Sequence, residues 1–336
     1  MIHKMVRRLW FAPTLAMAVA VAALPAQAET LKLTSCLQRN HDFVEAFFKT
    51  FVEPINAKGG DLKLNYLGGP EVTPFQKQGS ALQRGLVDMI VCPAPYYSGQ
   101  LNEARLTGLQ NKSLDEIRAN GAWDMMQEAW NKGLNARILA WTHFGGQTFY
   151  LYTSFQPKQS TETGLDLTGV KMRSTPLYNP LLKAMGATTV VISPSDVYTS
   201  LERGLVQGLG WPWGSIAQYG WERFLKYRIS PSFYGATQMT LVNLEKWKTL
   251  SKSQRDLLES QARIYERDGD PIIVKKAEQD DAKLRKAGVK TIQLEGKVRQ
   301  AYLATIYEAK WAENDKLKYI VDYEKLKSKL YARPGS

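Results

Sequence analysis

The 336-residue sequence predicts an α/β fold built as two similar domains. Three observations lead there. Short apolar runs alternate with amphipathic stretches along most of the chain, as strands and helices do in succession. The length suffices for two cores of ordinary size, and 44% hydrophobic with 23% charged residues is a globular composition. Finally, one block of helix, glycine, strand and proline occurs twice. Leu82-Gln83-Arg84-Gly85-Leu86-Val87-Asp88 leads to Cys92-Pro93, and Leu201-Glu202-Arg203-Gly204-Leu205-Val206-Gln207 leads to Trp211-Pro212, each match 119 residues later. That period is too long for a solenoid and reads as two domains contributing equivalent strands. Ligands of open α/β sheets sit beyond the carboxyl ends of strands, so 92–97 and 211–214 are expected to face each other across a cleft.

The elements follow in order. Lys4, Arg7 and Arg8 precede an apolar run over 9–24, and Ala26-Gln27-Ala28 supplies small residues where a signal peptidase cuts. The run is shorter than the roughly 20 apolar residues of a spanning helix, and Pro13 interrupts it. Export with cleavage after Ala28 is expected, and no Cys follows the run to carry a lipid anchor. A strand is expected at 31–36. A helix follows at 41–57, with Phe43, Val44, Phe47, Phe48, Phe51, Val52 and Ile55 on one face and Gly59-Gly60 at its end. Strands at 62–66 and 88–92 flank a helix at 74–85. Helices over 113–133 lead to strands at 136–142, 148–154, 170–174 and 188–192. Ser193-Pro194 places a capping residue before a first-turn proline. A strand at 238–242 precedes a long helix over 251–287 that should kink near Pro271. A late strand at 289–294 and two helices close the chain.

Enzyme signatures are missing. The sequence has no Gly-x-Ser-x-Gly elbow, no Walker loop and no His-Glu-x-x-His. The run from Gly208 to Gly214 is a near-miss for a dinucleotide loop, but Trp211-Pro212-Trp213 fills the space a pyrophosphate needs. His41 and His143 have no Cys or acid at ligand spacing, so no metal or cofactor is expected. Cys36 and Cys92 end two predicted strands, and both free buried thiols and a disulfide fit that placement. The net charge of +12 comes from 44 basic and 32 acidic residues, interleaved at helical spacing in the C-terminal third. That is a solvated helix face, not a nucleic-acid footprint. A positive surface also helps collect organic anions.

The stretch 166–212 carries the most specific signal. It reads Asp166-Leu167-Thr168-Gly169-Val170-Lys171-Met172-Arg173, then Pro176, then Gly186-Ala187. Ser193-Pro194-Ser195-Asp196-Val197-Tyr198 and Leu201-Glu202-Arg203-Gly204-Leu205-Val206-Gln207-Gly208 follow. Four blocks in this order resemble the solute-binding proteins of tripartite ATP-independent periplasmic (TRAP) transporters. There are departures: Pro176 sits one residue late, Gln207 stands for an aspartate, and Gly210-Trp211-Pro212 replaces a frequent Glu-Asn-Pro. The resemblance implies a two-domain periplasmic binding protein of the Venus-flytrap, type II-like class, with crossing hinge strands and a long spanning helix. It implies domain I at 29–148 plus about 238–285, and domain II at about 149–237 plus 286–330. It implies capture of an organic acid and delivery to a membrane permease, by a monomer without turnover.

The family's carboxylate-binding arginine falls on Arg173. Physics supports the same choice, because Arg173 ends a predicted strand and a guanidinium gives a carboxylate two parallel hydrogen bonds. The helix after Ser193, with Pro194 in its first turn, could point its positive end at the anion. Trp211, Trp213 and Tyr96 flank the echoed strand ends and are expected as aromatic wall. Gln38, Arg39 and His41 follow the first strand and face them, and Gln147 and Tyr150 lie near a crossing strand. Arg39 is the one cation besides Arg173 within reach. The expected ligand is therefore an aromatic or hydroxy/keto monocarboxylate, ahead of a C4-dicarboxylate, whose two charges each need a partner.

Overall fold

A computed structural model describes residues 1–2, 29–58, 60–143 and 148–332. The expected export signal with its Ala28 cleavage site, and Gln147, lie outside these described residues.

Among the described residues, thirteen strands form two main sheets and one hairpin. The first sheet has the order β2 (Leu62–Gly68), β1 (Glu29–Ser35), β3 (Met89–Cys92), β12 (Gln238–Asn243), β4 (Ala136–Thr142). The second has the order β13 (Lys290–Gln293), β11 (Tyr227–Gly235), β5 (Thr148–Thr153), β10 (Gly208–Pro212), β8 (Lys171–Ser174), β9 (Thr188–Val191). The hairpin pairs β6 (Lys158–Ser160) with β7 (Gly164–Asp166).

The duplicated block marks a duplicated topology. β1 pairs parallel with β2 and β3, and β3 then pairs antiparallel with β12, which pairs antiparallel with β4. In the second sheet β8 pairs parallel with β9 and β10, then β10 with β5 and β5 with β11 are antiparallel. The echoed strands β3 and β10 thus occupy the same place. Even the turns correspond. The helices Gln78–Gln83 and Val197–Glu202 each run into a left-handed glycine, Gly85 at φ 70° and Gly204 at φ 65°. Leu86 N–H donates to Ala81 O, and 119 residues later Leu205 N–H donates to Ser200 O, both at 2.9 Å. Only glycine takes that backbone region without a Cβ penalty.

The sheets exchange strands. β4 lies in the first and β5 begins the second, while β11 ends in the second and β12 starts three residues later in the first. These are the two crossings between the units.

Helix 42–57 forms as three contiguous pieces: Asp42–Phe47, a π-helical turn Phe48–Val52, and Glu53–Ala57. The wide turn ends just before Pro54, whose missing N–H a regular helix could not use. Its apolar face is buried as expected, with Phe47 edge-on to Tyr265 at 5.2 Å. Tyr265 belongs to the long helix Lys252–Lys286, which opens in a reciprocal cap between Ser251 and Gln254. That helix stays continuous through Pro271. Its first half packs on β4, and its last turns reach the second unit, where Asp281 pairs with Arg228.

Cys36 and Cys92 form a disulfide across 56 residues of chain, Cα to Cα 4.9 Å. It joins the carboxyl ends of the neighbouring strands β1 and β3, settling the choice that spacing left open.

Two expectations are corrected. The helix Tyr323–Leu330, expected in domain II, packs on the first unit, where Leu326 and Leu330 enter the core with Trp130 and Met126. β11 was not foreseen. Its sequence contains Pro231, which removes a ladder donor, and the pairing with β5 is irregular between Ile229 and Phe233.

Candidate functional site

Between the two units, at the carboxyl ends of β3 and β10, lies a small cavity of about 40 Å³. The space admits a few waters or one small molecule. Leu37, His41, Pro93 and Tyr96 line it from the first unit; Phe149, Thr175, Tyr178 and Trp211 line it from the second. No Lys, Arg, Asp or Glu is among its described lining residues.

Arg173 stands directly behind that wall. β8 places it, paired with Val190 on one side and Leu209 on the other. Leu209 and Trp211 are two apart on β10, so Arg173 and Trp211 project from the same face. The guanidinium carbon is 5.3 Å from the Trp211 ring centroid. Arg173 is fully buried, Nε donates to Ile192 O at 3.0 Å, and among the described residues no acid pairs with Nη1 or Nη2. Burial raises the Tyr96 hydroxyl pKa, and the charge of Arg173 and a side-chain hydrogen bond with it oppose the rise. The positive field of this one residue therefore reaches the cavity wall. A buried guanidinium without an acid beside it is costly unless something anionic meets it.

His41 faces it from the first unit. It sits at the N-cap of helix Asp42–Phe47, where Nδ1 accepts from Phe43 N–H at 3.1 Å. Its ring is 5.9 Å from Trp211 and 5.8 Å from Tyr219. Burial holds its pKa down at about 4, so the ring is neutral at neutral pH. Nε2 and the indole Nε1 of Trp211 are both buried without a partner.

The rim around this cavity is polar. Ser215 Oγ donates to Asp42 Oδ2 at 2.8 Å across the units, and Lys276 of the long helix holds the other oxygen at 3.0 Å. Asp280 accepts from the backbone N–H groups of Ile216, Ala217 and Gln218. Gln218 donates to Asn40 O.

Of the residues chosen from the sequence, His41, Tyr96 and Trp211 line the cavity and Arg173 backs it. The other described ones do not gather there. Trp213 lies past the end of β10, its N–H donating to Thr148 O at 3.0 Å. Tyr150 pairs with Trp211 across the sheet but sits beneath Arg228, 5.1 Å from ring centroid to guanidinium. Arg39 is exposed, stacked on Phe48 at 3.5 Å and near Glu53, so it is no second cation for the cavity. Gln38 is half-buried outside the lining. Pro194 opens only a short 3-10 turn, Pro194–Asp196. Ser193 does not cap it; its hydroxyl bonds Ser195 Oγ instead.

Sequence reading passed over Thr175, Leu177 and Tyr178, which follow β8 directly, and Phe149 in β5. The rule that placed the cleft beyond strand ends would have found the first three had it been applied to β8.

Known proteins agree with this architecture. The family model described as bacterial extracellular solute-binding protein, family 7, matches residues 36–314. Several solved structures share the fold. An extracytoplasmic solute receptor from Bordetella pertussis binding pyroglutamic acid superposes at TM-score 0.76 with 13% identity, over 90% of this chain and 99% of that one. A TRAP periplasmic solute-binding protein from Ralstonia eutropha, with bound (S)-2-acetolactate, gives 0.73 at 17% identity, over 89% and 97%. Another from Roseobacter denitrificans, with bound L-galactonate, gives 0.72 at 20% identity, over 85% and 94%. At such identities the likeness establishes a shared two-domain α/β fold, and the family match goes further: this chain belongs to the bacterial extracellular solute-binding proteins of family 7.

Proposed function

We propose that the chain captures a small 2-hydroxy- or 2-oxo-monocarboxylate in the interdomain cavity, with Arg173 taking the carboxylate. The observation that carries this reading is the full burial of Arg173 with no acid at its terminal nitrogens, beside a cavity lined by uncharged groups. A carboxylate supplies two parallel acceptors and the missing charge. Cavity size favours the short-chain end of the range, since a ring-bearing acid would have to displace Tyr96 or Trp211. A C4-dicarboxylate would bring a second charge against a lining that holds no cation among its described residues.

On this reading the protein is exported by its N-terminal segment, cleaved after Ala28, and acts as a monomer in the periplasm. It hands the acid to the membrane subunits of a TRAP transporter and turns nothing over. A thermal-shift screen tests the ligand class. Pyruvate, lactate and their four-carbon homologues should raise Tm, as should any acid that fits Arg173. Stabilisation by succinate or malate alone would overturn the monocarboxylate reading.

A further inference from the structure

We infer that His41 is the residue that selects the 2-oxygen of the ligand, through a neutral Nε2–H donor fixed toward the cavity by its role as helix cap. This deepens the monocarboxylate reading and rests on it.

The tautomer follows from hydrogen bonding. Nδ1 accepts the Phe43 N–H at the N-terminus of helix Asp42–Phe47, so it carries no proton. A neutral imidazole then bears its proton on Nε2. Neutrality is secured by burial, which outweighs the neighbouring Asp42 carboxylate, while Lys276 also disfavours a charged ring. Tyr219, edge-on to Trp211, and the Trp211 indole close the other sides.

The ring cannot turn to satisfy itself. Rotating it to bond Nε2 would surrender the cap. His41 is 1% exposed, its Nε2 has no partner, and the ring lines the cavity. Such a donor is costly to leave empty, and a ligand acceptor removes the cost.

The donor set also dictates what the ligand must offer. Arg173 Nη1 and Nη2, Trp211 Nε1 and His41 Nε2 can only donate. Trp211 lies within 6 Å of both the guanidinium and the imidazole, which stand on different units. A carboxylate fills the arginine side. An oxygen on the adjacent carbon is the nearest acceptor that a small acid can extend toward the other unit. A simple alkanoate leaves Nε2 idle, and a site built around a polar donor rejects the analogue that lacks the partner.

Two substitutions separate this role from a structural one. His41→Asn keeps an acceptor where Nδ1 was and so keeps the cap, but has no atom at Nε2. His41→Gln places an amide N–H where Nε2 was and gives up the cap. Affinities are measured by calorimetry for pyruvate, lactate and propionate, and for 2-oxobutyrate, 2-hydroxybutyrate and butyrate. Wild type should prefer each 2-oxygenated acid to its plain homologue by on the order of 10-fold or more. His41→Asn should erase that preference, lowering affinity for the 2-oxygenated acids far more than for propionate and butyrate. His41→Gln should restore part of it despite a lower Tm. A preference that survives in His41→Asn overturns the inference and leaves the monocarboxylate reading standing. So does an equal loss for all six acids, which would mark a structural residue, and so does a wild type without preference. If wild type binds none of the six, the monocarboxylate reading fails first and this inference fails with it.

Discussion

On the proposed reading, acid binding falls chiefly to Arg173. Its backbone is held by strand pairing on both sides and its Nε by the Ile192 carbonyl, so the fork is aimed before any ligand arrives. Arg173→Ala should therefore weaken acid binding by about 2–5 kcal/mol, roughly 30- to 4,000-fold, with circular dichroism unchanged. Arg173→Lys should recover little, because an ammonium cannot reproduce the fork. Calorimetry reads both. Histidines set a second residue-scale expectation. His41 and His143 are both held near pKa 4 by burial, below the ordinary 6.5. The unfolded chain then binds more protons between pH 6.5 and 4, so folded stability falls as pH drops through that window. Asp280 works the other way, since burial raises it to about 6 and its contribution is lost as pH rises through that value. The two imidazoles outnumber the one carboxyl. His143→Gln should flatten the fall of Tm between pH 6.5 and 4, the native residue accounting for up to about 3 kcal/mol over the window. An unchanged slope in that variant would show that His143 is not held neutral.

At the level of elements, the echoed helix ends are the clearest case of local chemistry acting twice. Gly204 has a positive φ and open space where a Cβ would stand. Gly204→Ala should thus cost about 1–2 kcal/mol through backbone strain alone, and Gly204→Asn less. Urea unfolding checks the order, and ligand affinity should not move, because the turn lies at the far end of β10 from the cavity. The disulfide acts on a second pair of elements. It ties the ends of β1 and β3, after which the chain supplies Leu37 and His41 on one side and Pro93 and Tyr96 on the other. The paired change Cys36→Ala with Cys92→Ala should lower stability by about 2–4 kcal/mol, read as a lower urea midpoint.

Over the whole molecule, the cavity exists only when the two units meet, and the polar rim holds them there. Asp42 is the shared point, reached by Ser215 from the second unit and Lys276 from the long helix. Closure on ligand should reduce the radius of gyration measured by solution scattering. Ser215→Ala removes one contact of the closed form without touching the cavity. It should weaken binding several-fold by shifting the population toward the open form, since a ligand that needs the closed state is taxed by its rarity. Equal affinity and equal scattering curves for variant and wild type would remove the rim from the closing mechanism.

The sequence by itself determined the α/β class, the duplicated unit and the position of most strands, and it proposed Arg173. Each of these rests on local pattern: apolar periodicity, a glycine that must be left-handed, a strand-end arginine in a recognisable block. It also placed the aromatic residues Tyr96 and Trp211 near strand ends that face each other. What it could not decide were matters of distance between residues far apart in the chain. The disulfide depended on β1 and β3 being neighbours. The exclusion of Trp213, Tyr150 and Arg39 depended on where β10 ends and on which side chains Arg228 and Phe48 attract. The role of His41 needed both its helix cap and the Trp211 ring from the other unit. β11 hid because Pro231 breaks the alternation that marks a strand, and pairing with β5 and β13 forms it regardless. Local propensity writes the elements, but the cavity is a property of two surfaces brought into contact, and only the closed tertiary structure determines which atoms remain without partners inside it.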